Sequence, residues 1–209
     1  QFPADDPRSE DVQIVLDETR RMEAILERIR QDVRLARAPA GRSLDPGDLV
    51  RAVVARYRDL ALERRVRLSA RVEPDLPPVV GDRDTMLEVL DNLLSNAFDA
   101  VGEGGKVTVR AQRLKEAVHL VVEDNGPGIA PERLEQIFEP FFTTKVGGTG
   151  LGLPLSKRLV AQCGGTLSAD SRPGEGARFR ILLRPRDTAG AVPGELPEEK
   201  DDATDPDRG

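Results

Sequence analysis

Glycine cuts the second half of this chain into short pieces, and the spacing of apolar residues changes from one piece to the next. Glycines fall at 102, 104 and 105, at 126 and 128, at 147, 148, 150 and 152, at 164 and 165, and at 174 and 176. Between them, some segments place apolar residues three or four apart, the repeat of a helix with one buried side. Others place them two apart, the repeat of a strand. A chain built this way lays helices against a sheet. The predicted class is α/β, a two-layer sandwich in which helices cover one face of a mixed β-sheet, preceded by a long helix. No early strand–GxGxxG–helix unit is present, so a Rossmann arrangement fits poorly.

The order of pieces follows from the same signals. Residues 1–8 contain Pro3 and Pro7 and read as a frayed start. Val12, Val15, Leu16, Met22, Ile25, Ile29 and Val33 then mark a helix over about 9–38, which Pro39 and Gly41 end. At 1.5 Å per residue this is a rod of roughly 45 Å, too long to bury its apolar side against itself. The stretch 41–47 reads as a linker. Further helices are expected over Asp48 to Arg65, from a cap at Asp82 or Asp84 to about Val101, near Pro131 to Ile137, and up to about Gln162. Strands are expected over Val66 to Val72, Lys106 to Arg113, Val118 to Glu123, about Thr166 to Asp170, and Ala177 to Leu183. The layout is thus a start (1–8), a helix segment (9–40), a linker (41–47), a main domain (48–186) and an acidic tail (187–209) predicted to be disordered.

Composition removes several function classes. One cysteine and one histidine leave no structural zinc site and no internal disulfide. The formal charge is -6, much of it in the tail, and the arginines are scattered without interleaved aromatics, which argues against nucleic acid as a partner. No run of 18 apolar residues occurs, so no membrane contact is expected from this segment.

Three clusters carry candidate chemistry. Asn92 and Asn96, four apart on one helical face, form a polar stripe opposite Leu87, Leu90, Leu94, Ala97 and Val101. Asparagine is a mediocre helix former, so two on one stripe point either to a solvated face or to neutral oxygens that ligate Mg²⁺. Asp124-Asn125-Gly126-Pro127-Gly128-Ile129 follows a strand. It is either a plain turn or a place where a carboxylate accepts a hydrogen bond from an amino group while glycines admit a flat ligand. The third cluster runs from Phe138, Phe141, Phe142, Thr144 and Lys145 through Gly148, Thr149, Gly150, Leu151 and Gly152 into a helix. An apolar hinge, one positive charge and free helix N–H groups suit a lid over phosphates. It is no P-loop, since the lysine precedes the glycines.

In this order the clusters resemble the histidine-kinase branch of the ATPase family that also contains DNA gyrase, Hsp90 and mismatch-repair ATPases. Asn92-Leu93-Leu94-Ser95-Asn96-Ala97 is similar to its asparagine box and Asp124-x-Gly126-x-Gly128 to its first glycine box. Phe138-Glu139-Pro140-Phe141-Phe142 is similar to its phenylalanine box, and Gly148-Thr149-Gly150-Leu151-Gly152-Leu153 to its second glycine box. The form Phe142-Thr143-Thr144-Lys145 resembles kinases of the nitrogen-regulation type. The resemblance implies an ATP-binding catalytic domain of a sensor histidine kinase in two-component signalling, cytoplasmic, with ATP and Mg²⁺ as ligands. Asn96 would be the main metal ligand, aided by Asn92, and Asp124 would recognise adenine. Gly126, Gly128 and Ile129 would flank the nucleotide, while Phe138, Thr144, Lys145 and the 148–152 backbone would serve the lid and the phosphates.

The resemblance also implies partners. Glu18-x-x-Arg21-Met22 and Leu35-Ala36-Arg37 are similar to the second helix of the dimerisation and phosphotransfer hairpin. Its first helix, bearing the phosphoacceptor histidine, is then expected upstream of Gln1, and a response regulator would receive the phosphoryl group. The unpaired stripe through Met22, Ile25, Ile29 and Val33 predicts weak self-association. His119 alternates with Val118 and Leu120 and reads as a strand residue, not a phosphoacceptor. Hydrolytic relatives carry a Glu four residues before the metal-binding Asn. Here that position is Asn92, which cannot act as a general base. The third glycine box reads Gly176-Ala177-Arg178-Phe179 in place of Gly-Thr, which keeps open an alternative: a degenerate or regulatory nucleotide-binding module with little phosphotransfer.

Overall fold

The computed structural model describes residues 19, 43–145 and 148–186. The predicted N-terminal helix, with its apolar stripe, and the acidic tail lie outside the described residues, except for Thr19, which is helical. In chain order the elements are β1 (Ser43–Leu44), α1 (Pro46–Glu63), β2 (Arg67–Val72), β3 (Val79–Val80), α2 (Arg83–Ala100), β4 (Lys106–Leu114) and β5 (Ala117–Asp124). Two 3-10 turns (Pro131–Arg133 and Gln136–Phe138), α3 (Gly152–Gln162), β6 (Thr166–Arg172) and β7 (Gly176–Leu183) complete them. Five strands form a mixed sheet in the order β2-β4-β5-β7-β6. β2 and β4 pair in parallel and the other neighbours are antiparallel.

Two aspartates start α1 and α2, two of the helices that cover this sheet. Asp45 accepts the Gly47 and Asp48 amides at 2.7 and 3.1 Å, ahead of Pro46 in the first turn. Asp82 accepts the Thr85 amide at 3.0 Å and its hydroxyl at 2.9 Å. α2 buries Met86, Leu87, Val89, Leu90, Leu93, Leu94, Ala97 and Phe98. That apolar stripe is wider than the one the sequence suggested, because α2 touches α1, α3 and the sheet. Val107, Val109 and Ala111 on β4 meet Val118, Leu120 and Val122 on β5 and Phe179, Ile181 and Leu183 on β7 along the inner face of the sheet. The strands' alternate residues build the outer face, where Glu123 pairs with Arg110 at 2.5 Å and Arg178 at 3.3 Å.

Two expectations change here. The stretch 41–47 was predicted as a linker, yet Ser43–Leu44 pairs with Val79–Val80 and Asp45-Pro46 opens α1. A two-residue strand is too short to show a period, and the Asp45-Pro46 cap ahead of the expected helix start at Asp48 went unread. The helix expected near 131–137 is instead two separate 3-10 turns. A segment so short between Pro131 and Pro140 cannot repay the cost of nucleating an α-helix.

Candidate active site

A cavity of about 570 Å³ opens between α2, the end of β5 and the segment leading into α3. Its floor is α2. Asn92 and Asn96 line it from consecutive turns, while Leu93, Leu94 and Ala97 on the reverse side are buried and fix the helix in rotation. The Asn92 amide donates to Ser156 Oγ on α3 at 2.9 Å, and Ser156 is 1% exposed. With its nitrogen on Ser156, the Asn92 amide turns its oxygen toward Gly152. A Cβ on Gly152 would lie 2.3 Å from Asn92 Oδ1, so the start of α3 approaches α2 this closely only because residue 152 has no side chain.

Asp124 closes the other end. It is the last residue of β5, faces inward and is 7% exposed. Its Oδ1 accepts the Gly126 amide at 2.8 Å and the Ala177 amide at 3.3 Å. Both bonds fall on one oxygen, which leaves Oδ2 to accept from a ligand. Burial pushes the Asp124 carboxyl above its ordinary range, and the two amides offset only part of that. Ala177 lacks the hydroxyl expected of a third glycine box, but its backbone N–H still holds Asp124. Gly128, at φ 73°, brings the backbone against Arg172, where a Cβ would fall 2.0 Å from the carbonyl oxygen. Ile129, Ile137, Phe142 and Phe179 give this end apolar walls suited to a flat ring.

At the polar end, Lys145 Nζ donates to Asn96 Oδ1 at 2.8 Å and to Asp99 Oδ2 at 2.9 Å. The oxygen expected to bind a metal therefore faces the cavity and already accepts a cationic donor. Hard, neutral and anionic oxygens of this kind suit Mg²⁺.

Of the residues singled out from the sequence, Asn92, Asn96, Asp124, Gly128, Ile129, Thr144, Lys145, Gly148, Thr149, Gly150 and Gly152 line the cavity. Gly126, Phe138 and Leu151 do not. Gly126 shapes the turn that holds Asp124, and Phe138 packs on the core beneath the Lys157 ammonium, 4.8 Å from the ring centroid. Phe141 was expected to help anchor the lid and is instead 52% exposed with φ 70°. Only Phe138 and Phe142 pack against the core. Sequence reasoning missed Ser156, Asp99 as a partner of Lys145, and the walls Ile137 and Phe179. A serine inside a helix and apolar residues in a strand carry no local signal of a distant cavity.

This fold and cavity define a nucleotide-binding ATPase domain. Residues 81–187 match the model of the histidine kinase-, DNA gyrase B- and HSP90-like ATPase family, and the chain belongs to that family. The sensor histidine kinase ZraS of Escherichia coli O157:H7 is 42% identical over 120 residues, which are 57% of this chain and 26% of ZraS. The sensory histidine kinase/phosphatase NtrB of Rhizobium meliloti is 36% identical over 136 residues, covering 57% of this chain and 35% of NtrB. Among solved structures, the catalytic domain of the histidine kinase ThkA superposes with a TM-score of 0.65 at 29% identity, covering 71% of this chain and 97% of that one. The chain thus spans about a quarter to a third of the curated relatives named here and nearly all of a kinase catalytic domain. No helix among the described residues is long and apolar enough to cross a membrane.

Proposed function

We propose that this chain is the catalytic module of a sensor histidine kinase: it binds Mg²⁺ and ATP and presents the γ-phosphate to a histidine on a helical hairpin. The observation that carries the reading is Asn92. A base that activates water is needed for rapid hydrolysis, and the position one turn before Asn96 holds an amide whose nitrogen is bonded to Ser156 Oγ. An amide cannot take a proton at neutral pH, so this position does not activate water and the γ-phosphate is left for another nucleophile. Phosphoryl transfer then needs chiefly positioning and charge neutralisation.

Asn96 Oδ1, with Asn92, would hold Mg²⁺, which when bound neutralises charge on the phosphates. Asp124 Oδ2 would accept the adenine amino group, and Lys145 with the amides at 148–152 would meet the phosphate oxygens. The bond from the γ-phosphorus to the β,γ-bridging oxygen breaks, a bond to the histidine nitrogen forms, and ADP leaves. His119 does not serve as the acceptor. It is the only histidine, is 6% exposed, and lies on the outer face of the sheet between Gln112 and Leu182, away from the cavity. Residues 9–40 would supply the second hairpin helix, joined to the domain just ahead of Ser43, and a response regulator would take the phosphoryl group onward.

Calorimetry with a non-hydrolysable ATP analogue tests the site. Asn96→Ala should lower Mg²⁺-dependent affinity by about 100-fold, at or beyond the range seen for outer-shell changes at metal sites. Asp124→Ala should weaken binding with and without the metal. With γ-labelled ATP, the chain should label an added hairpin bearing the phosphoacceptor histidine and remain unlabelled itself. Equal affinity in the wild type and both folded variants would defeat the assignment.

A further inference from the structure

Lys145 and a magnesium ion have a claim on the same atom. The ammonium sits 2.8 Å from Asn96 Oδ1 and 2.9 Å from Asp99 Oδ2, so it bridges the two residues across one turn of α2. Asp99 is held from behind: Arg64, at the end of α1, approaches its other oxygen at 3.7 Å. The result is a chain of charges, Arg64–Asp99–Lys145, that ties the segment before α3 to the helix carrying the asparagines. None of the three is needed to fill the core, since Arg64, Asp99 and Lys145 keep 49%, 44% and 44% of their side-chain surface exposed.

We propose that Asp99 is a positioning residue that makes the contact between Lys145 and the nucleotide phosphates conditional on Mg²⁺. The proposal rests on the ATP-site reading above. A metal ion bound to Asn96 Oδ1 at its usual distance of about 2.1 Å draws on that oxygen's electron density and repels the neighbouring ammonium, which weakens the Lys145 bond to it. Without the metal, Asn96 and Asp99 together retain Lys145, and the carboxylate competes with phosphate for the one lysine. With the metal, the hold of Asn96 on Lys145 weakens and the half-exposed pair with Asp99 is the main restraint left. Such a pair contributes little in water, so the phosphates can draw the lysine away. Asp99 therefore parks the lysine beside the phosphate end and releases it when a second cation arrives.

The test combines Asp99→Asn, Lys145→Met and the double variant, with a non-hydrolysable ATP analogue titrated in EDTA and in Mg²⁺. In EDTA, Asp99→Asn should tighten binding roughly two- to five-fold, the scale of a partly exposed ion pair. The gain from adding Mg²⁺ should shrink by the same factor. Both effects should vanish in the Lys145→Met background. If Asp99→Asn tightens binding equally there, the carboxylate acts on the phosphates directly and the proposal fails; no change in either background also overturns it. Asp91→Asn, which removes the same charge from the same helix without touching Lys145, is the control for the general field and should change affinity less than two-fold, on the order of an exposed charge. A nucleotide-free measurement separates the two layers of the argument. Amide exchange over residues 143–145 should speed up in Asp99→Asn in the absence of any ligand. Faster exchange in a protein that binds no nucleotide would reject the ATP site and leave the Asp99–Lys145 contact standing. Unchanged exchange would reject the contact itself.

Discussion

On the α2 side of the cavity, Asn92 and Asn96 stand on a helix whose Leu93, Leu94 and Ala97 are 0%, 0% and 1% exposed. Opposite them, Thr143, Thr144 and Lys145 are exposed. That side is held by a few backbone bonds, among them Phe141 N–H to Gly150 O, together with Thr143 Oγ1 accepting the Lys145 amide at 3.1 Å, Phe142 on the core, and the Lys145 bridge to Asn96 and Asp99. The same ligand would thus meet one wall whose geometry is fixed by the core and another whose geometry is fixed by polar bonds that the ligand itself can replace. Substitutions on the first wall should damage binding in proportion to the geometry they disturb, whereas substitutions on the second should redistribute it.

Among Asp124, Gly152 and the Phe141–Phe142 pair, the largest effect is expected at Asp124, where on the proposed reading the core-side wall would also set specificity. The Gly126 and Ala177 amides hold Oδ1 as an acceptor. In Asp124→Asn the side-chain oxygen must stay with those amides, so the NH₂ group turns into the position that faces the ligand. A donor then meets the donor of an adenine amino group. Leaving such a group unsatisfied costs about 1–3 kcal/mol, or roughly a 5- to 150-fold loss of ATP affinity, with the ratio of GTP to ATP binding shifted upward. Competition binding with the two nucleotides measures it. Stability should move the other way. Because burial raises the folded-state pKa of Asp124, its contribution to stability is fully present below the unfolded value and is lost as pH rises through the folded one. Thermal melts across about pH 3 to 7, the interval that brackets ordinary and raised carboxylates, should show the variant gaining on the wild type as pH increases. A variant with unchanged nucleotide preference would place the base elsewhere.

Gly152→Ala should have a smaller effect and a cleaner separation of fold from site. The added Cβ would sit 2.3 Å from Asn92 Oδ1 and 3.1 Å from Nδ2, and the near end of this contact is a side chain that can rotate. The fold therefore survives while Asn92 gives up its bond to Ser156. Loss of that hydrogen bond, worth about 1 kcal/mol, should lower the melting temperature by about 2–4 °C, while displacement of the amide oxygen should lower nucleotide affinity about ten-fold. Calorimetry paired with thermal melts reads both. A lower melting temperature with unchanged affinity would show that the α2–α3 approach matters for packing alone.

The unequal walls also explain what was legible in the sequence. Asn92, Asn96, Asp124 and the glycines announced themselves because each breaks a local rule: amides on a helix stripe, an acid ending an apolar strand, glycine where helix or strand should continue. The strands and helices of the sheet were readable from their periods, because one face of each is buried and the other is not. Ser156, Ile137 and Phe179 were not readable, since each obeys its own element's pattern and becomes part of the site only through tertiary packing. β1 escaped because two residues have no period, and the bridge from Lys145 to Asp99 joins positions far apart in sequence. The mistaken role of Phe141 has the same origin: three phenylalanines within five residues look alike in sequence, and only the backbone decides which of them reach the core.

That last point yields the smallest predicted effect. Phe142 is half-buried and packs against the core, whereas Phe141 is 52% exposed and sits at φ 70°, a left-handed conformation that a side chain makes costly. The Phe141 amide donates to the Gly150 carbonyl at 3.1 Å, so its backbone joins the two ends of the loop while its ring does little. Phe141→Gly keeps that bond and removes a strain on the order of 1 kcal/mol, against a modest loss of apolar contact and a more flexible unfolded chain. These nearly cancel, so the change in unfolding free energy should stay within about 1 kcal/mol. Phe142→Ala deletes a ring from the cavity wall and the core edge, and for a half-buried phenylalanine should cost about 2 kcal/mol, below the range for full burial. Denaturant unfolding of the two variants side by side measures the difference. If Phe141→Gly proved the more damaging of the pair, the exposed ring would be a structural anchor after all, and the loop side of the cavity would be held by packing in the same way as the helix side.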